Sequence, residues 1–438
     1  MSLRFDELYE EWNKYASCYC VDNEWLKKPL FIVLQSQLQK CTFLQNGRGV
    51  TTRENFFSIQ QTGTGKGQSM SAIHEMFRYL NERNKTRQAQ KGEAISDDYM
   101  SVFSQAEFTP QALVGGMMTR REGKKEVHYF KKGMLATHRL IVWGEGRNVL
   151  MPQSIWGDTM STLLGALDES GIIVPTSRKD LDDFGKMPEY RTNASLITGT
   201  NDYIGVDINM LSSGILQRFM FSFRHFNKKE CRDLRRRIIL NRRKVQQGDV
   251  SFFQKEFVDS FYSKPYSCKL EISSDKDNED YAELKDKQAE EIDKEFGEST
   301  KKYQAMEGFL NRSIIHETKI ATIIASLENE KYINYEHLKR AFELNTETIE
   351  SARAIILGEY EPTKRPATMT RYRIIEGILK KFVTMSQTRL VDELTRERAK
   401  GNWDIGKGKT REFLDDCVRD GIIKCSENQE HNKKSYFV

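Results

Sequence analysis

The segment Gln61-Thr62-Gly63-Thr64-Gly65-Lys66-Gly67-Gln68-Ser69 constrains this chain more than any other. Small residues here let backbone N–H groups close around phosphate oxygens, and Lys66 adds a point charge. The flanks supply the context that such a loop needs. Phe56-Phe57-Ser58-Ile59 predicts a buried strand entering it, and Met70, Ile73, Met76, Phe77 and Leu80 predict an amphipathic helix leaving it. Two positions depart from the G-x-x-x-x-G-K-[ST] pattern. Gln60 stands at the first glycine, and Gly67 stands where a hydroxyl residue would bind Mg²⁺. A Gly/Thr-rich turn with one lysine also serves as a plain strand–helix connection, so the reading depends on what lies downstream.

Candidate strands at 56–60, 100–105, 139–143, 195–199 and 219–223 are separated by helical patterns. That alternation predicts an α/β core with a parallel sheet over 49–225. Ahead of it, Phe5–Tyr15 and Asp22–Leu44 read as two helices of an N-terminal helical segment, 1–48, ending at Asn46-Gly47-Arg48-Gly49. Thr109-Pro110-Gln111 reads as a helix start, with an N-cap hydroxyl and proline at the first position. Residues 226–360 predict an all-α lid, clearest in the amphipathic runs 301–327 and 335–357. Glu361-Pro362-Thr363-Lys364-Arg365-Pro366 reads as a linker.

Residues 366–438 predict a winged-helix domain. Helices are expected at Arg371–Phe382, Gln387–Thr395 and Gly408–Asp420, and a hairpin from Ile422–Cys425 and Lys434–Val438. Lys407, Lys409, Thr410 and Arg411 fall at the start of the third helix, where a helix-turn-helix presents side chains to a DNA groove. A protein-docking wing is the alternative. Residues 361–438 hold 17 Lys/Arg against 12 Asp/Glu, an excess of +5 that equals the net charge of the whole chain. Arg224–Lys244 is also strongly basic, and such a run is ordinarily a solvated helix face.

At 438 residues the chain has room for several cores. Its mean hydropathy of −0.64 and the lack of any run near ~20 apolar residues exclude a membrane span. The N-terminus reads as a charged helix start and not as a secretory leader. Seven cysteines without a C-x-x-C pair are best explained as free thiols in a cytoplasmic protein, and imply neither zinc nor disulfides.

Nucleoside triphosphate hydrolysis needs a carboxylate to polarise water, a polar group to orient it and cations on the γ-phosphate. Leu140-Ile141-Val142-Trp143-Gly144-Glu145 is an apolar strand ending in a carboxylate. Leu196-Ile197-Thr198-Gly199-Thr200-Asn201 ends in a carboxamide, and Gly214-Ile215-Leu216-Gln217-Arg218 sets one arginine ahead of the next strand. Taken singly, Glu145 is a loop acid, Asn201 a turn former and Arg218 a surface charge. Their occurrence in order after a lysine loop favours the functional reading, with Asp202 as the alternative base.

The order and spacing resemble the AAA+ core of the MCM replicative helicases over about residues 50–350. Gly133–Glu145 resembles that family's small-residue turn and acidic strand, Met160–Glu169 the helix that follows, and Ile215-Leu216-Gln217-Arg218-Phe219 its Leu-Leu-Ser-Arg-Phe. Residues 171–194 fall where the family inserts a β-hairpin before its sensor strand. The resemblance implies ATP and Mg²⁺ held by Gln61, Thr62, Gly63, Thr64, Gly65, Lys66, Gly67 and Gln68. It makes Glu145 the water-polarising base, Asn201 a sensor, Arg218 an arginine finger completing a neighbour's site, and Arg312 a sensor arginine with Lys319 as second basic residue. It further implies a homo-hexameric ring whose pore hairpin, 171–192, grips single-stranded DNA through Arg178, Lys179 and Lys186, while the wing binds duplex. Gly144 replaces the family's aspartate and Gly67 its hydroxyl, so Mg²⁺ is expected to be held by phosphates and water near Glu145. The family's N-terminal DNA-binding collar does not fit into 48 residues. Loops without a hydroxyl after the lysine also resemble those of certain phage and mobile-element helicases.

The expectation is therefore an ATP-dependent, ring-forming DNA translocase or helicase in replication of a mobile element or virus, acting alone or with a separate initiator partner. The alternatives are an initiator or loader that uses ATP as an assembly switch, and a protein-remodelling AAA+ machine. The latter usually carries an aromatic pore loop, and none is evident near Arg178–Lys186.

Overall fold

Phe5, Leu8, Trp12, Tyr15 and Ala16 recur at helical spacing, and in a computed structural model of the chain all five are buried on helix α1, Arg4–Cys18. The structure describes residues 4–437 apart from 20–23, 40, 46–47, 62, 98, 105–109, 123–124, 145, 147–166, 168–170, 174–189, 202–210, 212–213, 242–246, 263–268, 298–299, 358–370, 372–373, 381–383, 400–402, 404–405, 420–422 and 429–432. Helix α2, Glu24–Leu38, stops short of the expected Leu44. Thr42–Gln45 is instead strand β1, paired antiparallel with β2, Arg48–Thr51, in a register that sets Gln45 opposite Arg48. Asn46-Gly47, read above as a helix stop, is equally the commonest two-residue hairpin signal.

The main sheet contains β3 (Phe56–Gln60), β4 (Ser101–Ser104), β7 (Leu140–Trp143), β10 (Ser195–Thr200) and β11 (Met220–Arg224). The spatial order is β11-β3-β10-β7-β4, and every pairing is parallel. All carboxyl ends therefore share one edge of the sheet. Helix α3, Lys66–Lys91, leaves β3 through the Gly/Thr-rich loop. Between β4 and β7 lie α4 (Pro110–Val114), a hairpin of β5 (Gly115–Glu122) and β6 (Lys125–Lys132), and α5 (Met134–Thr137). A shorter antiparallel pair, β8 (Ile172–Ile173) and β9 (Tyr190–Arg191), precedes β10.

Both faces of this sheet are covered, as parallel sheets require. Side chains alternate between two apolar layers: Phe56, Leu140, Val142 and Ile197 face one, and Phe57, Ile141, Trp143 and Leu196 the other. Helices α1, α2 and α3 belong to the first layer, so the two N-terminal helices share a core with the sheet. Tyr15 Oη donates to the Ala72 carbonyl at 2.9 Å, and Gln37 Nε2 to Ser195 Oγ at 2.7 Å, joining these helices to it.

After β11 come α6 (Lys228–Asn241), α7 (Gln247–Tyr262), β12 (Lys269–Ile272), α8 (Asp275–Phe296), α9 (Lys301–Leu327), β13 (Tyr332–Ile333) and α10 (Tyr335–Leu357). The all-α expectation for 226–360 needs correction, because β12 pairs in parallel with β1 and β13 with β12. Leu270 and Ile272 alternate with charged neighbours, a period-two pattern masked by the long helices around it. Strand β11 is an edge strand. Its outward Phe221 and Phe223 N–H groups donate to Thr348 Oγ1 and Ser351 Oγ of α10, which closes an edge otherwise open to strand addition.

The chain divides into two compact units, Met1–Glu361 and Pro362–Val438. The second holds helical residues 374–380, α11 (Gln387–Ala399) and α12 (Lys407–Arg419), with β14 (Met385–Ser386), β15 (Lys424–Asn428) and β16 (Lys433–Phe437) in an antiparallel sheet ordered β14-β16-β15. Its own core includes Ile375, Leu379, Leu390, Leu394, Trp403 and Leu414. Because each unit closes its own core, a chain truncated after Glu361 is expected to unfold in one cooperative transition at the full-length temperature, measured by calorimetry. A broadened or much lower transition would show that the first unit depends on the second.

Candidate functional site: a lysine loop at the carboxyl edge of a parallel sheet

Gly63 and Gly65 adopt φ of 85° and 92°, a conformation that only glycine takes at little cost. This bends the chain back so that α3 begins at Lys66, directly behind Gly65. The helix has no side-chain cap and no acidic residue in its first turn, so its amino-terminal N–H groups and dipole favour an anion. Thr64 Oγ1 donates to the Gln61 carbonyl at 2.8 Å and staples the loop. A Cβ at Gly67 would meet no atom within 4 Å, so the missing hydroxyl has no steric cause. Gln68 is exposed on the first turn, and Thr62 lies outside the described residues. The Gln61 carboxamide accepts from Phe226 N at 3.1 Å and lies 3.0 Å from His225 Nδ1, which ties the loop to the segment leading from β11 into α6.

Lys66 Nζ donates to the Gln60 and Thr200 carbonyls, both at 2.6 Å, and to Asn201 Oδ1 at 2.9 Å. The register explains the meeting: β10 pairs with β3 through Thr200 opposite Ile59, so the next residues, Gln60 and Asn201, end side by side. The structure thus brings together Lys66 and Asn201, two residues 135 apart in sequence. All three of these acceptors are neutral. The strand carbonyls are fixed, whereas the Asn201 amide can rotate and let an anionic oxygen take its place.

Glu145 and Asp202 lie outside the described residues. The neighbours of Glu145 are placed: Gly144 N donates to Ser104 O and Gly146 N to Gly199 O, each at 2.8 Å, across the carboxyl ends of β4 and β10. Gly199 makes a close approach possible, since a Cβ there would lie 2.9 Å from both Ser58 O and Met70 Cε.

Arg218 stands at the other edge of the sheet. It precedes Met220, which pairs with Phe56 at the start of β3, and its Nη1 donates to Gly214 O at 2.7 Å. The length of β3, about 13 Å, separates that edge from the loop. On α9, Gly308 abuts the Gln217 side chain and His316 Nε2 lies 3.0 Å from Gln217 O, so Arg312, midway on the same helical face, belongs to the Arg218 edge as well. Lys319 is buried there, 3.0 Å from Arg53 O and 3.7 Å from Glu54 Oε1. It therefore supports the start of β3, at the end of the sheet away from the lysine loop. Sequence reasoning missed its partners: Glu54 is fully buried and lies 2.7 Å from His316 Nδ1, 262 residues away, a pairing with no local signal.

The expected pore hairpin begins and ends in β8 and β9, while Arg178, Lys179 and Lys186 lie outside the described residues. The β5–β6 hairpin was missed, although Gly123 between charged residues and alternating Val127 and Tyr129 signal it. Its root is pinched between Gly115 and Gly133, where an added Cβ would fall 2.4 Å from backbone atoms. Tyr190 Oη of β9 donates to Val114 O at 2.7 Å, so the roots of both hairpins are joined.

In the second unit Lys407, Lys409 and Arg411 are exposed on the first turn of α12, and Lys407 pairs with Asp392 at 3.0 Å. Thr410 faces inward and accepts from Trp403 Nε1 at 3.2 Å, a packing role. Among the described residues no three His, Cys, Asp or Glu side chains converge as a metal site, and no helix is long and apolar enough to cross a membrane. The chain matches no protein-family model and no curated protein.

Proposed function

We propose that this chain is an AAA+ ATPase that works as a ring of six head-to-tail copies and translocates on DNA as a replicative helicase. The observation that carries the reading is the meeting of Lys66 and Asn201 at the carboxyl edge of the sheet, with Arg218 at the opposite edge. The loop fits the triphosphate of ATP: two glycines in the left-handed region, an uncapped helix start and a lysine converge on one point. Mg²⁺, held by phosphates and water, would neutralise charge there. Lys66 would hold the β- and γ-phosphates, Asn201 would orient the attacking water, and Glu145 would accept its proton. Arg218 and Arg312, remote from their own loop, would serve the neighbouring subunit's ATP.

DNA enters through three features. The 171–192 hairpin would grip a strand through Arg178, Lys179 and Lys186. The β5–β6 hairpin carries Arg120, Arg121, Lys124 and Lys125 near its turn in sequence and shares a root with the first. The second unit, read as a winged helix, would offer Lys407, Lys409 and Arg411 to duplex. Replacing Arg178, Lys179 and Lys186 with Ala is expected to abolish unwinding of a forked duplex while basal ATPase persists. Unwinding by the triple variant at the wild-type rate would overturn the pore assignment. A second reading, an ATP-dependent assembly switch, is favoured by Gly67, because a site without the metal-binding hydroxyl suits slow turnover. Absence of unwinding by the wild type would favour it.

A further inference from the structure

Most helices of this chain neutralise their cations locally, as Lys14 does with Glu11, Arg78 with Glu75, Lys380 with Glu376 and Arg396 with Glu393. Helix α6 does not. At about 100° per residue, Lys228, Lys229, Arg232, Arg235 and Arg236 share an arc of about 120°, opposite the buried Leu234. All five are exposed. The helix's carboxylates, Glu230 and Asp233, lie off that arc, and Glu230 is engaged by Arg224 Nη2 at 2.9 Å and Asn227 N at 2.8 Å. Lys228 and Arg232, and Arg232 and Arg236, are i,i+4 pairs of like charge and repel each other until an anion arrives.

The face has the dimensions of a phosphate backbone. Lys228 to Arg236 spans about 12 Å along the axis, about three to four base-pair steps of a duplex. Three of the five cations are arginines, whose planar fork suits phosphate oxygens. A lipid surface fits less well, because the exposed Ile239 falls within the cationic arc and a membrane helix segregates its apolar face from its charges. The helix is firmly seated, since Asn227 Oδ1 caps its first turn and Gln61 holds Phe226 just before it.

We propose that the outer face of α6 binds the phosphate backbone of nucleic acid. This site goes beyond the function proposed above, whose DNA contacts are the two hairpins and the second unit, and it makes no use of ATP turnover. The test is binding of labelled single-stranded DNA and its duplex to the full-length chain, without nucleotide, across a salt series. Replacing Lys228, Arg232, Arg235 and Arg236 with Gln is expected to weaken binding at least ~10-fold and to flatten the log K against log salt slope by about three. A charge-matched control with Lys255, Lys301, Lys302 and Lys331 replaced by Gln, all of them exposed, should leave both unchanged. Replacing the three arginines with Lys should retain the slope, which separates lost charge from a damaged helix.

Unchanged affinity and slope in the quadruple Gln variant would overturn the proposal while leaving the helicase reading intact. So would loss of binding to phosphatidylserine vesicles with DNA binding unaltered. A wild-type chain that bound no DNA at low salt would overturn both.

Discussion

Lys66→Ala is expected to lower ATP turnover by at least about 10²–10³-fold, the loss seen when one preorganised donor to developing charge is removed. The argument rests on where the ammonium is held. Two strand-end carbonyls at 2.6 Å fix Nζ between β3 and β10, so it is already positioned when phosphate arrives. Its third partner, the Asn201 amide, is the one that can turn away. Alanine removes the charge and leaves two carbonyl oxygens facing the phosphates, an arrangement that repels them. The side chain is only half-buried, so the fold should persist, and calorimetry can confirm that before phosphate release is measured. Turnover near the wild-type rate would mean that the loop is a plain strand–helix connection.

Arg218→Ala is expected to cost about 10³–10⁵ in turnover, the range for arginine fingers, while nucleotide affinity changes little. The parallel register of β11 against β3 sets Arg218 beside the beginning of β3 and Lys66 beyond its end, so in the ring proposed above Arg218 would serve a neighbour's site. Mixing the Arg218→Ala and Lys66→Ala chains should therefore restore activity that neither has alone. In a random equimolar ring about a quarter of interfaces would pair an intact lysine with an intact arginine. The rescued rate after subunit exchange is the deciding measurement. No rescue in rings shown to be mixed would make Arg218 a structural residue, consistent with its bond to Gly214 O.

The sheet strands were legible because each is a short apolar run bounded by polar residues: β3 falls on 56–60 as expected, and β7 and β10 each differ by one residue. The long helices α9 and α10 match the predicted 301–327 and 335–357, since sustained periodicity leaves few alternatives. Apart from the local β5–β6 hairpin, what was lost was short or non-local. Thr42–Gln45 has four residues, too few to separate a strand from the end of a helix, and its partner at Lys269 is far away in sequence. The Lys66–Asn201 meeting could be anticipated from strand order, but the placement of Lys319 could not. Its seven-residue spacing from Arg312 keeps both on one helix face, yet Glu54 draws Lys319 into the protein.

The hydrogen bond from Tyr190 to Val114 O, together with the glycine pinch at Gly115 and Gly133, makes one foot for two hairpins. Burial pushes the Tyr190 phenol up to about 12, so it remains a donor at any physiological pH. Through that bond a displacement of Val114 is passed to Tyr190, so the β5–β6 and β8–β9 pairs are joined as prongs of one fork and not as two oars. In the translocase proposed above, the number of independent strokes per subunit would then be one, and strand length advanced per ATP would be a property of a single hinge.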